Sequence, residues 1–68
     1  MDRITVLLEI KEESEAMIEF HRAQAELYLN QPLAVGQHPN VKTAVVYELG
    51  KMGEHLNRLD LLDTYFIK

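Results

Sequence analysis

The carboxylates of this 68-residue chain offer the first chemistry. Glu9 and Glu12 stand three apart, and Asn57 and Asp60 repeat that spacing in the second half. Residues three apart share one side of a helix. Carboxylates on facing helices are hard oxygen donors that could hold Mg²⁺, which helps displace a phosphate. That alternative would place a metal on Glu9, Glu12 and Asp60, against the ordinary state of helix glutamates as a solvated surface. The histidines are His21, His38 and His55, and none belongs to the Glu-x-x-His pairing of di-iron bundles, because Ile18 and Met52 fill the required positions. There is no cysteine, and the one serine, Ser14, lies among glutamates that would not activate it. Gly50-x-x-Gly53 sits inside a helical pattern and does not follow a strand, so it is no phosphate loop. The reading is therefore of a non-enzymatic protein with no catalytic residue, no metal and no cofactor.

The elements that must carry these residues are helices. Val45, Leu49, Met52, Leu56, Leu59 and Phe66 recur on heptad spacing. His38-Pro39-Asn40 places proline where a first helical turn tolerates a missing N–H. In the first half Met17, Phe20, Gln24 and Leu27 give a helical side, and alanines and glutamates favour helix. Residues 3–10 alternate like a strand, yet no glycine or proline separates them from the helical segment after them, and Asp2 is a natural N-cap. The spacing predicts helices over about 2–30 and 39–67, with a loop at 31–38 inside a stretch, 30–39, that holds two prolines and a glycine. The fold class is all-α, one domain spanning residues 1–68. Equal helices across a short loop form an antiparallel hairpin, in which facing residue numbers sum to about 69. Ile10 then meets Leu59, Met17 meets Met52, Phe20 meets Leu49, and His21 falls opposite Glu48. Leu56 is expected at the centre of this apolar seam.

The carboxylate pattern Glu9-x-x-Glu12 with Asn57-x-x-Asp60 resembles the all-α nucleotide pyrophosphohydrolases of the MazG type, over these four positions. That family sets Glu-x-x-Glu on one helix against Glu-x-x-Asp on a later one. The resemblance implies metal-dependent nucleotide hydrolysis through Glu9, Glu12 and Asp60. Asn57 departs from the pattern, standing where the family has a carboxylate.

A hairpin shields one stripe per helix, and this chain has more apolar residues than that. Val46, Gly50, Gly53 and Leu61 form a second side of the later helix. Helix glycines cost about 1 kcal/mol each relative to alanine, and close approach of another helix is a reason to keep them. A homodimeric four-helix bundle is expected, with Val46, Gly50, Gly53 and Leu61 at its interface.

Charge narrows the partners. The net charge is −4, with seven acidic against three basic residues up to Asn30 and four against four thereafter. No cluster of Lys and Arg exists to bind nucleic acid. No apolar run approaches the ~20 residues of a membrane span, and no signal peptide is visible in the sequence. The expectation is a small acidic binding or regulatory module, cytoplasmic and of bacterial or phage origin. It acts by contact, as a homodimer and with a basic protein partner met through Glu12, Glu15 and Glu19.

Overall fold

The computed structural model describes residues 2–30 and 38–67. Two 28-residue helices, α1 (Arg3–Asn30) and α2 (His38–Tyr65), pack against each other as an antiparallel hairpin. Their ends fall within two residues of the expected ones. Residues 3–10 are helical, which settles the strand-like alternation there. The expected loop lies outside the described residues, apart from His38, which opens α2.

Local chemistry explains the ends. The Asp2 carboxylate accepts the Thr5 backbone N–H at 2.7 Å, satisfying one of the four donors that open a helix. That hydrogen bond holds the Asp2 carboxyl below its ordinary value. At the far end, the backbone N–H groups of Phe66 and Ile67 both donate to the Leu62 carbonyl, at 2.9 and 2.8 Å, and close the last turn. Arg3 then donates to the Phe66 carbonyl at 3.0 Å and ties the start of α1 to the end of α2.

The two contacts that report the pairing, Arg3 with Phe66 and His21 with Glu48, join residues whose numbers sum as the hairpin rule requires. The register is therefore as expected, but the sides turned inward are not. The helices meet along two columns of strict seven-residue spacing, Leu7, Ser14, His21 and Tyr28 on α1 and Val41, Glu48, His55 and Leu62 on α2. All eight residues are buried or half-buried. The expected apolar seam is corrected here. Leu56, placed at its centre from the sequence, is 52% exposed. Phe20, Leu49 and Phe66 are also exposed, while Val45, Met52 and Leu59 are half-buried. Each helix is rotated so that part of its apolar stripe, Met17, Phe20 and Leu27 on α1 and Leu49 and Leu56 on α2, is turned outward, while Val45, Met52 and Leu59 border the contact line half-buried.

The molecule is a rod of 53 × 16 × 15 Å. Its radius of gyration is 15.8 Å, against about 11 Å for a compact domain of this length. Its accessible surface is 5266 Å², whereas a compact monomer of 7.9 kDa would expose about 4,400 Å². The surplus of about 850 Å² comes from the shape, since a pair of helices has no third body to cover its two broad faces.

Candidate functional site: a polar seam between apolar faces

The middle of the seam is polar. Ser14 is 1% exposed, Glu48 6% and His21 7%, while the buried apolar residues are Ala25 and Leu62. With its proton on Nδ1, the His21 ring donates to Glu48 Oε1 at 2.6 Å. A buried carboxylate needs such a partner, because unpaired burial of charge is strongly unfavourable. The edge of Phe20 lies against the His21 ring, with centroids 5.1 Å apart and planes at 76°. On the other side His21 stacks on His55, 6.1 Å away and tilted by 17°.

His55 has a different neighbour. Arg58, a donor at every accessible pH, reaches His55 Nδ1 at 3.0 Å, so that nitrogen accepts and the ring's own proton sits on Nε2. Ser14 pairs in register with His55, yet its buried Oγ makes no hydrogen bond among the described residues.

The residue types Ser, His and Glu invite comparison with a hydrolytic triad, but their order is wrong. Glu48 orients His21, whereas the serine lies one heptad away beside His55, whose Nδ1 is held by Arg58. Among the described residues no base is hydrogen-bonded to the serine, which is the contact that activates a hydroxyl in such a triad. The hydrogen bond between His21 and Glu48 joins the two residues that the hairpin register sets opposite each other. The seam membership of Ser14 and His55 escaped the sequence reading. The signal was their seven-residue spacing from His21 and Glu48, masked by the apolar stripes beside them.

Over the Ser14–His55 level lies an open groove of about 480 Å³. Its walls are chiefly Ile10, Met17, Leu61, Leu62 and Phe66, with Glu13 on the α1 rim and Arg58 on the α2 rim. On that face α1 presents Val6, Ile10, Glu13, Met17, Phe20, Gln24 and Leu27, a heptad stripe, of which Val6, Met17, Phe20 and Leu27 are exposed. The opposite face carries the exposed Leu49 and Leu56 of α2 beside Ile4 and Leu8 of α1.

The other candidate residues are all on the outside. Glu9, Glu12 and Asp60 are exposed, and no group of three or more His, Asp or Glu gathers to hold a metal among the described residues. Glu12 and Glu15 are exposed on α1. Glu19 is engaged by Arg22, which donates to Oε2 from Nε at 2.9 Å and to Oε1 from its terminal nitrogen. That bidentate grip holds the Glu19 carboxyl below its ordinary value. Of the four residues expected at a dimer interface, Leu61 borders the groove. Val46 is exposed elsewhere on α2, and a Cβ added at Gly50 or Gly53 would meet nothing within 4 Å.

Comparison with protein-family models, with curated proteins and with solved structures finds no match.

Proposed function

We propose that this protein works by contact: a small acidic helical hairpin of the cytoplasm that pairs with a second copy into a four-helix bundle and meets a basic protein partner through the outer edge of α1. One observation carries the reading. Large apolar side chains from Ile4 to Phe66 stand exposed on both broad faces, while the buried residues are Ser14, His21 and Glu48 with only Ala25 and Leu62 as apolar company. Apolar stripes left open on a helix are interaction surfaces by default, because each half-exposed Leu or Phe gives up about 1 kcal/mol that full burial would return. The acidic edge of Glu12 and Glu15 would speed encounter with a basic surface and weaken with salt.

Thermal unfolding followed at several protein concentrations tests this. Mass action makes the melting temperature of a self-associating hairpin rise with concentration. A melting temperature that does not move across the micromolar range would contradict the self-association.

A further inference from the structure

We infer that the second copy docks on the groove face, its α1 lying over the first copy's α2, so that Glu13 of each copy reaches the partner's Arg58. This rests on the reading of the protein as a self-associating module and adds which surfaces meet and in what order.

The area comes first. The surplus surface of about 850 Å² matches the ~800 Å² that each partner gives to a standard interface. Covering one broad face therefore brings the exposed area down to that of an ordinary compact protein. The groove face has the relief for it. Met17 and Leu61 stand exposed on its two rims, beside an open apolar trough of about 480 Å³, and the same rims on a second copy supply the side chains to fill it.

Charge then selects among the pairings. The α1 stripe bordering the groove holds Glu13 and no Lys or Arg from Val6 to Leu27. The α2 rim holds Lys51, Glu54 and Arg58. Lys51 pairs with Glu54 at 3.6 Å, whereas Glu13 and Arg58 have no ion-pair partner among the described residues. If like helices met about an axis at the level of the groove, α1 on α1 and α2 on α2, Glu13 and Arg58 would each approach their own kind. With α1 on the partner's α2, the two opposite charges meet twice across a two-fold axis. That axis runs along the bundle and keeps the levels of the hairpin, so Glu13 lies within about 3 Å along the helix of Arg58 of the partner subunit. Neighbouring helices are antiparallel throughout, as in an up-down four-helix bundle.

The test uses charge reversal at these two exposed positions, with helicity checked by circular dichroism. E13R and R58E each place like charges at both contacts, and each should raise the dimer dissociation constant about tenfold. An equimolar mixture of the two variants restores both attractions and should form heterodimers at the wild-type dissociation constant. Isotope-labelled wild type mixed with the double variant E13R/R58E should sort into two homodimers by native mass spectrometry. Dimers whose dissociation constant neither reversal changes would overturn the pairing while leaving self-association in place. So would heterodimers of wild type with the double variant, which signal that like helices meet. A helical wild-type chain that stays monomeric would overturn both this inference and the reading beneath it.

Discussion

The seam between the helices and the faces outside it differ in the direction a small protein would not be expected to choose. At the centre of the seam, His21, Glu48 and Ser14 are among the most buried side chains, while Phe20, Leu49 and Leu56 beside them are half in water. The seam gains geometry from this arrangement. A 2.6 Å bond between a ring nitrogen and a carboxylate tolerates no slip, so His21–Glu48 fixes the register of two helices that apolar residues alone would let slide. The faces gain availability, because apolar area not used inside one chain is free to be covered by another. In the proposed dimer, specificity within the chain and affinity between chains would thus fall to different residues.

The contrast can be broken most severely at the polar pair. His21→Ala leaves the Glu48 carboxylate buried without its donor and should cost about 3–5 kcal/mol in urea unfolding, a large share of the total stability of so short a chain. Replacing both partners, His21→Leu with Glu48→Leu, should be close to neutral or stabilising, and would lose the fixed register instead. If His21→Ala unfolds at the wild-type denaturant midpoint, the pair is not buried in solution.

Two leucines separate the seam from its flanks. Leu62 is 7% exposed, so Leu62→Ala should cost about 2–4 kcal/mol as a cavity. Leu56 is on the face away from the groove, and Leu56→Ala should cost under about 1 kcal/mol. Equal losses of melting temperature would mean that the helices are turned as the apolar spacing alone suggests.

That spacing shows what was readable in the sequence. The helices, their ends and the His21–Glu48 register come from simple rules: a capping aspartate, a proline in the first turn, equal lengths and antiparallel pairing. The rotation of each helix about its own axis does not. Val45, Leu49 and Leu56 declare which side of α2 calls for burial, but periodicity carries no information about whether the other helix or another molecule will bury it. The columns Leu7, Ser14, His21, Tyr28 and Val41, Glu48, His55, Leu62 have equally regular spacing, with polar residues at their centres. The candidate metal residues Glu9, Glu12 and Asp60 are not gathered into a cluster among the described residues, since three-residue spacing puts residues on one side of a helix without turning that side toward the other helix.

The smallest effect concerns the glycines. A Cβ at Gly53 meets open space, so Gly53→Ala should raise stability by about 0.5–1 kcal/mol through helix propensity alone and leave self-association unchanged. A loss of self-association on this change would move the interface to the Val46–Gly50–Gly53 side.

Sedimentation equilibrium over the micromolar range tests the central claim most directly, the proposal that a second copy covers the apolar groove face. The expected mass is about twice 7.9 kDa, with dissociation on dilution as mass action requires. A fully helical species that keeps the mass of one chain at every concentration would contradict it.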